Sequence, residues 1–277
     1  GVDHVAFVKV ASAAIASKML GQGPQKMNST ISNSFIDGQS LRTYRHFPNT
    51  GTRKSWAAGD ASARGIKQAF ISEVSEEIYP SALSAKTWGF NDVIMKKDSL
   101  KLLRELDSYV MDNILYKVNF PAEFHAQTAA EAAINLKKSN KFKIEDIEQV
   151  EILTQEPGVR IISKKGPLKN YADRDHCIEY IVAWCLINGG LNSDSYSDVS
   201  SKDPQIESVR NCTVTKEDKN YTKSYYDLND RAIGNKVSVK LKNGIVFHEE
   251  VKYPLGHKQR REESKPFLKE KFKIAME

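Results

Sequence analysis

The sequence predicts an α plus α+β protein, in which an all-helical domain precedes a smaller α+β domain. Alanine-rich stretches with helical spacing dominate the first part of the chain, up to about residue 115. From Tyr116 onwards, extended and β-branched segments alternate with helical ones, and a charged, broadly helical stretch ends the chain. We therefore predict a helical domain at 1–115, an α+β domain at 116–256 and a C-terminal helix at 257–277.

Three helices are predicted before the first large cluster of charge. They cover residues 5–20, 25–35 and 57–74, where small and apolar residues recur at helical spacing. Another helix is predicted at about 99–115. The chain begins at Gly1 within a helix-like pattern, so we expect a further segment to precede it.

The second part of the chain mixes helices and strands. An extended lead-in to Pro121 precedes a helix that reaches about Lys138, because the residue before proline avoids helical angles. The Asn243-Gly244 pair favours a type I′ hairpin. The remaining predictions are a strand at 149–154, a turn at 156–158, a β-branched extended run at 159–162, a helix at 173–187 and hairpin strands at 236–241 and 245–251.

Composition and charge limit the classes of function. The chain has 277 residues, of which 40% are hydrophobic and 27% charged, so it can bury a sizeable core. Its formal net charge of +6 suits anionic partners, but no RNP, zinc-finger or basic-zipper pattern accompanies it. No apolar run approaches the roughly 20 residues of a membrane span. We therefore expect neither a nucleic-acid nor a membrane partner.

The three cysteines indicate neither a disulfide framework nor a structural zinc site. They are Cys177, Cys185 and Cys212, an odd number without CxxC spacing. The first two lie in an apolar helical run and are expected to be small core residues. A reducing compartment fits this pattern best.

The segment 41–65 concentrates positive charge beside a turn and a helix start. The run Pro48-Asn49-Thr50-Gly51 favours a turn, and the helix is predicted to restart near Ala57. Helix N-termini carry unpaired N–H groups and a partial positive charge, so they favour carboxylates or phosphates. The cations are Arg42, Arg45, His46, Arg53 and Lys54, with Tyr44 and Trp56 between them. The alternative interpretation is a solvated basic loop.

Other polar residues could carry chemistry, although no G-x-S-x-G, Walker A, GxGxxG or HExxH motif is present. Lys117, Glu123 and His125 surround the start of a predicted helix. His176 and Tyr180 are predicted on one helix face, and a structural His bonded to an acid such as Asp173 is the alternative. His4 directly precedes the first helix, where a cap or surface role is the alternative. These residues alone predict an anion-binding enzyme at most.

Six segments together resemble the MmgE/PrpD family. They are RTYRHFPNTGTRKSWAAGD, YPSALSAKTWGF, FPAEFHAQTAAEAA, EPGVRIISKKGPLKNYADRDHCIEY, RAIGN and YPLGHKQRREE. The resemblance extends over essentially the whole chain in family order. It implies an all-helical domain with a smaller α+β lid domain, an active site in the cleft between them, and a final helix that returns to the helical domain. It also implies that the chain is the C-terminal part of a longer enzyme, with the N-terminal portion of the helical domain missing.

The family resemblance also implies a reaction. This is the metal-independent dehydration of 2-methylcitrate to 2-methyl-cis-aconitate in the methylcitrate cycle of propionate catabolism, so no cofactor is expected. A base must take a proton next to a carboxylate, an acid must protonate the leaving hydroxyl, and cations must hold the tricarboxylate. The alternatives are decarboxylation or hydration of cis-aconitate or citrate, or an inactive fragment or partner subunit.

The resemblance assigns roles to some of the candidate residues. By similarity to the related cis-aconitate decarboxylase, site residues map to His4, Lys54 and Tyr180, whereas Lys117, Glu123 and His125 are candidates without a direct match. We expect His4 or His125 to be the base, Tyr180 the acid or orienting hydroxyl, and Lys54 with the nearby cations to hold carboxylates. The expected assembly is a homodimer, located in the mitochondrial matrix of a eukaryote or the cytoplasm of a bacterium.

Overall fold

The chain divides into two compact units. A computed structural model describes residues 2–45, 50–75, 77–96, 98–102, 105, 107, 109–140 and 142–277. The units are Gly1–Leu106 and Asp107–Glu277. The predicted ligand His46 and the Pro48-Asn49 part of the predicted turn lie outside the described residues. The predicted boundary at residue 115 and the return of the last helix to the helical domain stay predictions.

The described part of the first unit is helical. Its helices are α1 Val5–Met19, α2 Pro24–Ile36, α3 Arg53–Val74 and α4 Phe90–Val93. The first three confirm the predicted helices, although α3 begins at Arg53 and not near residue 57. The helix predicted at 99–115 is wrong over residues 99–102, which are not helical.

Small residues bring α1 and α3 into close contact. A Cβ atom at Gly65 of α3 would lie 2.3 Å from the carbonyl oxygen of Lys9 and 3.0 Å from the amide nitrogen of Ala13, both in α1. Such distances exclude any side chain at this position unless a helix moves. Ala61 and Ala69 on α3 are also buried, so the two backbones meet along an alanine- and glycine-lined seam.

A buried lysine ties α1 to the end of α2. Lys9 is 2% exposed, and its Nζ donates to the carbonyl oxygens of Asp37 at 2.6 Å and Gly38 at 3.3 Å. Burial lowers the pKa of Lys9, and the nearby Asp37 carboxylate opposes that shift. Arg64 of α3 reaches the same carboxylate at 2.8 Å. The three helices therefore share one polar junction inside an otherwise apolar contact.

The second unit combines helices with one small sheet. Its helices and strands are α5 Tyr109–Asn113, α6 Gln127–Ser139, β1 Ile147–Thr154, α7 Glu156–Ile162, α8 Tyr171–Asp175, α9 Ile178–Asn188, α10 Pro204–Asn211, β2 Thr213–Glu217, α11 Lys219–Tyr226, β3 Asn235–Leu241, β4 Val246–Val251 and α12 Arg261–Met276. The helical first unit and this mixed unit agree with the predicted α plus α+β class.

The sheet has the strand order β2-β1-β3-β4. Strands β1 and β2 run parallel, with Val150 opposite Thr213, whereas β1 and β3 run antiparallel, with Val150 opposite Val239. Strands β3 and β4 form the predicted antiparallel hairpin, and Gly244 at its turn has a φ of +88°. Helices α6 and α9 pack against each other and, with the sheet, enclose the apolar core of this unit.

Three predictions in this unit are wrong. The predicted turn at 156–158 and the β-branched run 159–162 both belong to helix α7, which follows an extended Gln155 and has proline in its first turn. The single helix predicted at 173–187 is two helices, because His176 and Cys177 leave the helical conformation. His176 therefore caps α8 while Tyr180 lies in α9, and the two do not share a helix face.

The final helix is anchored by ion pairs within the second unit. Arg260, just before α12, donates to both carboxylate oxygens of Glu131 on α6, at 2.8 and 2.9 Å. Within α12, the Nζ of Lys271 donates to the carbonyl oxygen of Lys117 at 2.7 Å. The last helix and the turn before it are therefore bonded both to α6, through Glu131, and to the segment before α6, through Lys117.

Candidate active site

A cavity of about 370 Å³ lies within the second unit. Four separate segments of the chain line it: α5 with the residues that follow it, the turn before α6, the end of α11 with the loop that follows, and the turn before α12. Its titratable lining residues include Glu123, His125, Tyr225, Arg231, His257 and Lys258.

Glu123 and His125 form a tightly bonded pair in this cavity. A Glu123 oxygen accepts from the backbone N–H of His125 at 2.7 Å, and both of its oxygens lie 2.8–2.9 Å from Nδ1 of the imidazole. Burial acts to raise the pKa of Glu123, but the hydrogen bonds and charge of His125 outweigh it and hold that pKa at about 2. The carboxylate is therefore ionised, and its contacts with the ring place a proton on Nδ1 of His125.

The neighbouring backbone fixes the position of this pair. Gln127, in the first turn of α6, donates to the carbonyl oxygens of Phe120 at 2.8 Å and Ala122 at 2.7 Å. Asn235 of β3 donates to the carbonyl oxygen of His125 at 2.8 Å. The turn is thus held by both the helix that follows it and the sheet. Nε2 of His125 remains on the cavity side, 3.4 Å from the hydroxyl of Tyr225.

The rest of the lining supplies hydrogen-bond donors. Burial raises the pKa of Tyr225, so its hydroxyl keeps its proton. Burial and the charge of Lys258 lower the pKa of His257. Its Nδ1 accepts from the backbone N–H of Gln259 at 3.2 Å, which leaves the proton on Nε2. Lys258 donates to the neutral side chain of Asn113 at 3.3 Å. The cavity suits an anionic ligand.

Tyr180 is a core residue of the second unit. It is 2% exposed and stacks on Tyr196 and Trp184, with ring centroids 6.2 and 6.5 Å away. Its hydroxyl donates to the carbonyl oxygen of Ser195 at 2.7 Å. Burial raises the pKa of Tyr180 to about 12. Tyr180 is not among the residues that line the cavity.

Two other predicted residues lie beside the cavity lining. The Nζ of Lys117 lies 5.1 Å from the ring centroid of Phe124. His176 bonds through Nδ1 to Asp175, and not to Asp173, whose carboxylate pairs with Lys164 at 3.3 Å. The charge of His176 lowers the pKa of Glu123, so this histidine favours the ionised carboxylate.

In the first unit, the predicted cations are drawn together by acidic and aromatic partners. Arg45 donates through Nε to the buried carboxylate of Asp3 at 2.6 Å. Arg53 pairs with Asp60 at 3.3 Å and lies over the rings of Trp56 and Tyr44, 4.3 and 5.5 Å from their centroids. These two charges are therefore already partnered.

His4 and Lys54 flank this cluster. His4 is the N-cap of α1, its side chain is 59% exposed, and its Nδ1 lies 3.1 Å from a guanidinium nitrogen of Arg42. Burial lowers the pKa of His4, and Asp3 opposes that shift. Lys54 is half-buried in the first turn of α3, where its N–H donates to the carbonyl oxygen of Gly51 at 3.1 Å.

Among the lining residues that sequence reasoning missed are Tyr225, Arg231, His257 and Lys258. The last three lie in RAIGN and YPLGHKQRREE, which carried the resemblance but received no role. No local pattern marks them, because they approach His125 only through the folding of α11, β3 and the turn before α12. Over the described ranges, no group of three or more His, Cys, Asp or Glu side chains could hold a metal ion.

Comparison with protein families accounts for both units. The MmgE/PrpD N-terminal domain matches residues 1–103, and the MmgE/PrpD C-terminal domain matches residues 120–277. The chain belongs to the MmgE/PrpD family. Residues of both MmgE/PrpD domains are therefore present in the chain, and the expectation that a further segment precedes it stays a prediction.

Several proteins similar to this MmgE/PrpD chain are named 2-methylcitrate dehydratase. The chain is 52% identical to the mitochondrial 2-methylcitrate dehydratase of Yarrowia lipolytica over 98% of its length, and 53% of that relative is covered. It is 50% and 48% identical to the 2-methylcitrate dehydratases of Salmonella typhimurium and Escherichia coli, over 99% of its length and 58% of theirs. The chain thus spans a little over half the length of these relatives. Among the helices that the structure describes, none is long and apolar enough to cross a bilayer.

Proposed function

We propose that this chain carries out the dehydration of 2-methylcitrate to 2-methyl-cis-aconitate, a carbon–oxygen lyase reaction of the methylcitrate cycle in propionate catabolism. The identity of about half of its residues to proteins named 2-methylcitrate dehydratase carries this proposal. The cavity supports it chemically, because it combines a candidate base with several donors suited to a carboxylate-rich ligand.

His125 is the proposed general base. With Nδ1 bonded to Glu123, the lone pair of neutral His125 lies on Nε2, at the cavity side. Removal of a proton from the carbon next to a carboxylate leaves an electron pair that forms the double bond as the hydroxyl leaves. The Glu123 carboxylate then stabilises the imidazolium that forms, as an acid does in a His–carboxylate pair.

Tyr225 is the proposed donor to the departing hydroxyl. Its own hydroxyl keeps its proton and lies 3.4 Å from Nε2 of His125, so one ligand could contact both groups. The departing oxygen must gain a proton to leave as water, and a hydroxyl can supply it. Tyr225 takes the role expected for Tyr180 because the hydroxyl of Tyr180 is bonded within the core.

The cations of the first unit have proposed roles as carboxylate ligands. Lys54 is the main candidate, because it is matched by similarity to a family site residue, and Arg42 and His46 are proposed neighbours. His4 is the alternative base. For Arg45 and Arg53, a structural role competes with ligand binding, because Asp3 and Asp60 already neutralise them.

Turnover by the purified chain tests the proposal. Formation of the enoate product from 2-methylcitrate is followed by ultraviolet absorbance for the unaltered chain, His125→Asn and Lys54→Ala. The expected result is a loss of about 100-fold or more for His125→Asn, within the range of general base catalysis. His248→Asn is the matched control, because His248 is exposed on β4. If His125→Asn turned over 2-methylcitrate at the full rate, His125 would not be the base. If the unaltered chain showed no turnover, the alternative of an inactive fragment or partner subunit would be favoured.

Other substrates and the assembly are tested separately. Product analysis with citrate and with cis-aconitate distinguishes dehydration from the alternative decarboxylation or hydration. A homodimer predicts twice the 31.2 kDa chain mass in light scattering. The proposed location is the mitochondrial matrix for a eukaryotic source and the cytoplasm for a bacterial one, and imaging of a tagged chain in its source organism tests it.

A further inference from the structure

Arg231 presents an unpartnered guanidinium at the cavity. It lines the cavity, and its Nε is buried with no hydrogen-bond partner among the described residues. A guanidinium has five N–H donors, and a buried donor without a partner is costly. Arg210 and Arg261 also have a buried Nε without a partner, but each donates through another nitrogen to a backbone carbonyl oxygen. An empty donor at this cavity therefore indicates a site for a ligand acceptor.

The backbone at Arg231 is held in a conformation that arginine disfavours. Its φ is +50°, in the left-handed region that favours glycine and asparagine. Its N–H donates to the carbonyl oxygen of Asp227 at 2.9 Å. The carboxylate of the preceding Asp230 is bonded to the hydroxyls of Ser224 and Tyr253. A strained residue persists only where its surroundings impose the conformation, and such residues cluster at ligand sites.

The chain after Arg231 is equally constrained. Ala232 and Ile233 are 2% and 4% exposed, and the carbonyl oxygen of Ile233 accepts from the hydroxyl of Thr128 at 2.6 Å. On the cavity side, the imidazole of His257 is hydrogen-bonded to the backbone at Asp230 and Arg231. The core on one side and His257 on the other therefore fix the direction in which the Arg231 side chain leaves the backbone.

The charges around Arg231 favour a carboxylate. The cavity has one described acidic lining residue, Glu123, and His125 contacts both of its oxygens. Lys258 bonds to a neutral amide and adds positive charge. A carboxylate would gain the paired, parallel hydrogen bonds that a guanidinium offers, and it would relieve the unpaired donor.

We propose that Arg231 binds a carboxylate group of the ligand, and that the left-handed backbone at this residue holds its guanidinium at the cavity. The choice of a tricarboxylate as that ligand rests on the proposed function. Arg231 would then set specificity for a carboxylate beside His125, because an analogue without this group would leave the guanidinium unpaired.

Binding of tricarballylate by the purified chain tests this role. Tricarballylate has three carboxylates and no hydroxyl, so it cannot be dehydrated, and titration calorimetry gives its Kd. Arg231→Gln is expected to raise the Kd about tenfold or more, as loss of a hydrogen bond between charged groups predicts. Arg231→Lys should fall in between, because it keeps the charge but not the paired geometry. Arg160→Gln, at an exposed arginine paired with Glu156, is the matched control and should leave the Kd within twofold.

A second variant separates binding from a structural role. Arg231→Gly suits the left-handed backbone, so its melting temperature should equal or exceed that of the unaltered chain while tricarballylate binding is lost. An unchanged Kd in Arg231→Gln and Arg231→Gly would overturn the proposal, and so would an unaltered chain that binds no tricarballylate. Binding that depends on Arg231 without any turnover of 2-methylcitrate would support it and refute only the dehydratase function.

Discussion

Replacing Glu123 by glutamine removes the charge of the Glu123–His125 pair and keeps its shape. The amide oxygen of glutamine can still accept from the backbone N–H of His125, the bond that is 2.7 Å long in the unaltered chain. What is lost is the ionised carboxylate, whose oxygens lie 2.8 and 2.9 Å from Nδ1. The variant therefore isolates the electrostatic part of the interaction.

The pKa of Glu123 gives the size of the effect on stability. Folding lowers it from 4.5 to about 2. Each pKa unit corresponds to about 1.4 kcal/mol, so the ionised carboxylate contributes ~3 kcal/mol to the free energy of unfolding. Because the folded pKa is the lower one, this contribution is fully present above pH 4.5 and is lost as the pH falls from 4.5 towards 2.

Urea unfolding at pH 6 and pH 3 measures this contribution. Between these values the unaltered chain should lose about 2 kcal/mol more stability than Glu123→Gln, since part of the effect survives at pH 3. Glu262→Gln is the control, because the side chain of Glu262 on α12 is 84% exposed. An equal loss of stability in the unaltered chain and in Glu123→Gln would refute the argument that His125 holds Glu123 ionised.

The remaining predictions concern the packing of α3 and the role of Tyr180. Gly65→Ala should lower the free energy of unfolding by about 1–3 kcal/mol, because its Cβ would overlap the carbonyl oxygen of Lys9. Gly59→Ala, in the same helix with no atom within 4 Å of the added Cβ, should raise it by about 0.5–1 kcal/mol, and the two are compared by urea unfolding. Tyr180→Phe should cost about 1 kcal/mol of stability and leave turnover within about twofold. A turnover loss of 100-fold would instead restore Tyr180 as the acid.

Local sequence signals predicted the parts of the fold that depend on few neighbours. The hairpin follows from Asn243-Gly244, and the first three helices follow from small and apolar residues at helical spacing. The break at His176–Cys177 could not be read locally, because neither proline nor glycine marks it. Hydrogen bonds from distant segments lie on both sides of the break. The carbonyl oxygen of Asp175 accepts from the N–H of Glu123, and the buried carboxylate of Glu179 accepts from the hydroxyls of Ser163 and Thr215.

The same distinction applies to the site. Glu123 and His125 could be singled out because they are two residues apart beside a proline turn and a helix start. Tyr225, Arg231 and His257 reach the cavity from distant segments, and only the three-dimensional fold brings them to it. Arg231 is recognisable by its backbone angle and its empty donors, neither of which is visible in a sequence.

The left-handed backbone at residue 231 also has a consequence for the history of the family. At most positions in a core, a substitution is disfavoured because it destabilises the fold. At residue 231 the backbone favours glycine or asparagine over arginine. Random drift would therefore replace the arginine unless its ligand selected for it. On the proposed role, we expect the arginine to be kept in family members whose ligands place a carboxylate beside His125, and to be lost in those whose ligands do not.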